Sequence, residues 1–155
     1  MLPPETQNYL TSAKEVIFLA LPLLDKGHWV YIDNYYTGIQ LVDYMHQRQT
    51  IVCGTAKSNR VPNRLASTKL RKGQMLALRS DHILAIKFAD TKDVYMMTTG
   101  HDESTQVVHE RGGQQKTKPS AVVAYNKKMG SVDKKDQVLM TFYCDANTLC
   151  SFSVY

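Results

Sequence analysis

Apolar residues at Leu10, Ala13, Ile17, Leu21 and Leu24 recur at three- and four-residue intervals. This spacing predicts a helix over 5–24, with Thr11 or Ser12 capping its start. Gly27 ends it. The run His-Trp-Val-Tyr-Ile at 28–32 then reads as a strand, and its apolar character on both faces predicts a buried strand of a mixed or parallel sheet. Thr37 is the expected N-cap of a second helix that carries Ile39, Val42, Met45 and His46 on one side. A further strand follows at 50–55. A strand–helix–strand unit of this length is a crossover, so its two strands are expected to be parallel neighbours.

Beyond Gly54 the periodicity fades, and 57–72, interrupted by Pro62, is expected to be irregular. Three short apolar runs at 75–78, 83–88 and 94–98 follow. The polar turns Ser80-Asp81-His82 and Asp90-Thr91-Lys92-Asp93 separate them, which predicts an antiparallel meander. The polar stretch 101–119, with Gly112-Gly113 and Gln114-Gln115, is expected to be mobile. Helical patterns over 120–129 and 133–140, broken at Gly130, complete an α/β chain without internal repeats.

Composition narrows the class. With 155 residues, 43% hydrophobic and 21% charged, the chain can build one packed core. No apolar run reaches the roughly 18–20 residues of a membrane span, and Pro22 interrupts the longest, 16–24. The N-terminus lacks the pattern of a secretory signal. Cys53, Cys144 and Cys150 form neither a disulfide framework nor a zinc spacing, in keeping with a reducing intracellular setting.

The net charge of +5 matters less than its distribution. Lys57, Arg60, Arg64, Lys69, Arg71 and Lys72 fall in a stretch without a single acid. Arg111, Lys116, Lys118, Lys127 and Lys128 fall in another. Such clusters suit a phosphate backbone or a solvated loop equally well.

Asp33 is the most informative candidate for chemistry. It follows a strand, where functional groups of open α/β sheets gather, and a carboxylate there suits Mg²⁺ as readily as it suits a turn. Asp133 and Asp136, three apart, share a helix face that a divalent cation would relieve of like charge, or they favour a helix start. Trp29 reads as core. Neither H-E-x-x-H, nor G-x-S-x-G, nor a phosphate-cradling glycine loop is present.

Three blocks taken together are more specific. They are Asp33-Asn34-Tyr35-Tyr36-Thr37, then Gly54-Thr55-Ala56-Lys57-Ser58-Asn59-Arg60, then Lys118-Pro119 and Tyr125-Asn126-Lys127-Lys128-Met129-Gly130-Ser131-Val132-Asp133-Lys134-Lys135-Asp136-Gln137. In this order and spacing they resemble the PiggyBac transposase family. The resemblance implies a partial ribonuclease-H-like core built on the strand–helix–strand unit, with an inserted small antiparallel β meander and C-terminal helices. Residues 1–137 would form an incomplete catalytic domain, its insertion at about 57–118, and 138–155 a divergent tail.

The resemblance further implies DNA cleavage and transfer by three aspartates with Mg²⁺ or Mn²⁺. Asp33 matches the second aspartate, Asp133 the third, and Asp136 a further acidic metal-site position. Lys57, Asn59, Arg60, Arg64, Lys69, Arg71, Lys72, Lys127 and Lys128 are the implied DNA contacts. A nuclear location, a homodimer and no membrane partner go with it.

The departures set a limit. The family's first aspartate lies upstream of the position of Met1, Ser131 stands where glycine is usual, and the tail from about Val138 leaves the family pattern. The expectation is a transposase fragment that binds metal weakly or not at all and does not cut DNA alone. A domesticated DNA-binding module or a functionless transposon relic are the alternatives.

Overall fold

A computed structural model of the chain describes residues 2–110 and 112–130. Arg111, Asp133, Asp136, Cys144, Cys150 and the helix expected over 133–140 lie outside the described residues. The first helix is shorter than its periodicity predicts. A 3-10 turn at Pro4–Thr6 precedes α1 (Thr11–Ala20), and a second at Leu21–Leu23 follows it. Pro3, Pro4 and Pro22 explain the trimming, because each lacks the N–H that an uninterrupted helix would need. Leu10 is the N-cap, so neither Thr11 nor Ser12 caps the helix, and Ser12 is buried instead.

The crossover unit forms as expected. Strand β1 (Trp29–Ile32), helix α2 (Ile39–Gln47) and strand β2 (Ile51–Ala56) succeed one another, and β1 pairs with β2 in parallel, Ile32 opposite Gly54. Val42 and Met45 on α2 are buried, whereas Ile39 and His46 are exposed. The segment expected to be irregular contains a 3-10 turn at Ser58–Arg60 and the short helix α3 (Asn63–Ser67), anchored by the fully buried Leu65.

Strands β3 (Met75–Ser80), β4 (Ile83–Ala89) and β5 (Asp93–Thr98) make the meander. It is continuous with the crossover unit, because β5 pairs antiparallel with β2, giving the order β1-β2-β5-β4-β3. Alternation along the strands sends Val30, Ile32, Val52, Ala85 and Met97 to the face covered by α1, α2 and α3. Tyr31, Cys53, Leu84, Ile86 and Met96 meet helix α4 (Ser120–Met129) on the other face. The result is a sheet buried on both faces.

The stretch 101–119, for which no regular element was expected, contains two strands. It forms a hairpin of β6 (Thr105–His109) and β7 (Gln115–Pro119), with Gly112 and Gly113 at positive φ in the turn. Glu110 is paired with Lys116 and Lys118, and Lys118 also with Asp90 at 3.2 Å. Two of the five cations of the second basic stretch, Lys116 and Lys118, are thus paired within the fold.

Candidate active site

Asp33 stands one residue beyond β1, exposed, at the end of the sheet where β1 and β2 finish and β5 begins. Its backbone is fixed with unusual thoroughness. The Asp33 carbonyl oxygen accepts from the Tyr36 N–H at 3.0 Å, the Thr37 N–H at 3.1 Å and the Thr37 hydroxyl at 3.0 Å. Thr37 therefore does not cap α2. Gly38, extended at φ −159°, takes the N-cap position, and the buried Thr37 side chain turns back to close the loop. Gly54 lies against this closure: a Cβ there would come within 2.5 Å of Thr37 Oγ1 and 2.9 Å of the Ile32 carbonyl oxygen.

The basic segment folds onto the same loop. Arg60 Nη1 donates to the carbonyl oxygens of Tyr35 and Thr37, and Lys57 Nζ sits 5.3 Å from the centre of the exposed Tyr35 ring. Lys57, Asn59, Arg64, Lys69, Arg71, Lys72 and Lys127 are exposed, while Arg60 and Lys128 are half-buried. The structure brings Lys57 and Arg60 to the loop that follows Asp33, on Tyr35 and Thr37. Lys72 is placed elsewhere, with Lys116, Gly73 and Asp90 around a second hollow of about 310 Å³. The turn between β4 and β5 separates the two hollows, since Asp90 lines this one and Asp93 the first.

The hollow at Asp33, also about 310 Å³, is lined by Asn34, Thr55, Asp93, Tyr95 and Tyr125 besides Asp33 itself. Thr55 Oγ1 lies 3.4 Å from Asp33 Oδ1 and 3.3 Å from the Tyr125 hydroxyl. Asp93 is committed to Lys87, a lysine only 3% exposed on β4 that also donates to the carbonyl oxygens of Ala66 and Thr68. Burial opposes the Lys87 charge, but the hydrogen bonds to Asp93 and Tyr95 prevail and its pKa is raised. Cys53, behind the site, is buried and its thiol is pushed up to about 12, so it is not a nucleophile here.

Sequence reasoning missed Thr55, Tyr125, Asp93 and Lys87. The first two lie inside the blocks that carry the family resemblance, but no local pattern marks a hydroxyl as a neighbour of Asp33. Among the described residues no group of three or more His, Cys, Asp or Glu side chains is placed to hold a metal ion. No helix of the described residues is long and apolar enough to cross a membrane.

Residues 3–149 match the protein family described as Transposase IS4. A solved structure similar in fold is that of piggyBac transposase in a synaptic complex with hairpin DNA, determined by cryo-EM. It has a TM-score of 0.67 and 24% sequence identity, over 86% of this chain and 28% of that one. This chain thus spans less than a third of the length of that transposase.

Proposed function

This chain belongs to the Transposase IS4 family, and on that premise we propose that it is of the piggyBac type and carries one carboxylate edge of a metal-dependent DNA strand-transfer site. The observation that carries the reading is the Asp33 carboxylate, exposed at a strand end while its own backbone is held by three hydrogen bonds. Carboxylate, hydroxyl and amide oxygens of Asp33, Thr55 and Asn34 line the hollow, and these are the hard donors that Mg²⁺ or Mn²⁺ prefers. The donor chemistry fits, and the ligand number is incomplete within the described residues. Asp133 and Asp136, three and six residues beyond Gly130, supply further carboxylates in this reading, and another part of the transposase supplies the first.

Bound there, the cations would stabilise the attacking and leaving oxygens of a phosphodiester displacement. The chain's own residues orient and hold. Arg60 fixes the loop that carries Asp33, while Lys57, Asn59, Arg64, Lys69, Arg71, Lys72, Lys127 and Lys128 face the phosphate backbone. The proposal includes a nuclear location and a homodimer, as for the family.

The test is incubation of the full chain with Mn²⁺ and nicked or hairpin DNA. No cleavage is expected, with Mn²⁺-induced NMR broadening at Asp33 that Asp33→Asn abolishes. Broadening that survives Asp33→Asn would remove Asp33 from the metal site. A Mn²⁺-dependent nick lost in Asp33→Asn would instead show the chain competent by itself.

A second reading, DNA binding without catalysis, is favoured by the exposed Arg64, Lys69, Arg71 and Lys72. Under it, affinity falls with salt at a slope of about −0.9 per phosphate neutralised. An affinity indifferent to salt would eliminate it.

A further inference from the structure

Helix α4 lies along β2 in matched steps. Cys53 Sγ is 3.8 Å from the Ala121 carbonyl oxygen, and Thr55 Oγ1 is 3.3 Å from the Tyr125 hydroxyl. Two residues of strand advance about 6.6 Å and four of helix about 6 Å, so the two elements keep pace and run in the same direction. Tyr125 is buried against Tyr31, Cys53 and Met96 with its ring, while its hydroxyl reaches the hollow at Asp33.

We propose that Thr55 and Tyr125 are positioning residues for Asp33, the Tyr125 hydroxyl holding the Thr55 hydroxyl and that hydroxyl holding Asp33 Oδ1, so that the seating of α4 on the sheet aims the carboxylate. The inference rests on the reading of Asp33 as a metal ligand. Thr55 Oγ1 is placed as donor toward both oxygens, but it has one proton and an ionised carboxylate only accepts; in this proposal the proton goes to Asp33 and the Tyr125 hydroxyl turns to donate to the Thr55 oxygen. Both contacts are longer than the usual O–H···O range of about 2.5–3.0 Å, so neither alone holds strongly. Their effect is directional. The Asp33 backbone is already fixed through its carbonyl, which leaves the side-chain rotamer as the freedom that Thr55 removes.

The experiment is NMR on the isotopically labelled full chain, reading the Asp33 rotamer from its Hα–Hβ couplings and Mn²⁺ affinity from line broadening. Asp33 is expected to hold one rotamer in the unaltered protein and in Thr55→Ser. In Thr55→Val, and to a lesser degree in Tyr125→Phe, its couplings should average. Mn²⁺ affinity should fall about tenfold in Thr55→Val, the usual scale for losing a group that orients a ligand.

Unchanged couplings in both Thr55→Val and Tyr125→Phe would overturn the positioning role, whatever Mn²⁺ does. Couplings that average as expected while Mn²⁺ broadens nothing near Asp33 even in the unaltered chain would sink the metal reading and leave the relay standing. Should Thr55→Val fail to fold, Tyr125→Phe decides, since it removes one hydroxyl and leaves the packed ring in place.

Discussion

Arg60 holds Tyr35 by its backbone: Arg60 Nη1 donates to the Tyr35 carbonyl oxygen at 2.6 Å, across 25 residues of chain. A second bond, to the Thr37 carbonyl oxygen at 3.2 Å, makes the guanidinium a clasp on the loop after β1. Both bonds leave Nη1, and the lysine ammonium, though charged, ends a side chain one bond shorter than the one that carries Nη1 to the two acceptors. Arg60→Lys is therefore expected to lower stability by about 1–3 kcal/mol in urea unfolding, the scale of hydrogen bonds from a charged donor. Lys57→Gln, which loses only a contact to an exposed ring, should stay within about 0.5 kcal/mol. Equal midpoints for Arg60→Lys and the unaltered chain would take the clasp role away.

Gly54 is needed for room. A methyl group there meets Thr37 Oγ1 and, more seriously, the Ile32 carbonyl oxygen, which belongs to the neighbouring strand and cannot swing aside. Gly54→Ala is expected to cost about 1–3 kcal/mol by overpacking. Adding Thr37→Ala, which removes Oγ1, should not restore it, because the backbone clash persists. Full recovery in the double variant, read by thermal unfolding, would show that Thr37 alone sets the limit.

Lys87 and Asp93 are unequal partners, the lysine buried and the aspartate half-exposed. Replacing the lysine by an apolar group of similar length removes the charge but leaves the Ala66 and Thr68 carbonyl oxygens without their donor, and Lys87→Met should cost about 2–3 kcal/mol. Asp93→Asn leaves a buried ammonium with carbonyl partners only, and should cost about 1–2 kcal/mol, moderated by solvent at Asp93. The reverse ranking in denaturant unfolding would contradict this account. The raised Lys87 pKa adds a sign. Its stabilisation is complete below the pKa of the unfolded chain and is lost as pH rises through the folded value, so any loss occurs on the alkaline side.

Glu110 sets the acid side of the hairpin. Hydrogen bonds from Lys116, then Lys118, hold its carboxyl at about 2, below an ordinary value of 4.5. A depressed carboxyl stabilises above its unfolded pKa, and the contribution disappears as pH falls through the folded one. Amide protection in β6 and β7, taken relative to the intrinsic exchange rate at each pH, should therefore fall between about pH 4.5 and 2, before that of the five-stranded sheet. Glu110→Gln should abolish that early step. Simultaneous exchange of both sheets would remove the pair from this role.

The parts of this fold legible in the sequence are those whose apolar pattern is local. Val30 and Ile32 against Tyr31, the alternation of 83–88, and Ala121, Val122 and Tyr125 on α4 mark β1, β4 and α4 because each buries a face. The hairpin is hidden for the opposite reason. Thr105, Gln106 and Val107 are exposed, and β6 and β7 hold by their ladder and by lysines clasping Glu110, none of which leaves an apolar stripe.

Asp33 is visible as a carboxylate after a strand, whereas its setting is not. Thr55 and Tyr125 lie 70 residues apart, and only the sheet register with the seating of α4 joins them. Lys87 is concealed by its type, since a lysine amid apolar residues reads as a surface position until Ala66, Thr68 and Asp93 are seen around it.

Between the hairpin and α4 the chain has no slack. β7 ends at Pro119 and α4 begins at Ser120, whose N–H and hydroxyl are tied to the Ser104 carbonyl oxygen at 2.9 Å and hydroxyl at 2.7 Å, at the root of β6. Hairpin and helix therefore share a single joint at Pro119 and Ser120, with no linker residue between them in which a displacement of one could be taken up before it reached the other. Tyr125 lies five residues along the helix from that joint, so the hairpin's root and the hydroxyl beside Thr55 belong to one continuous stretch of regular backbone.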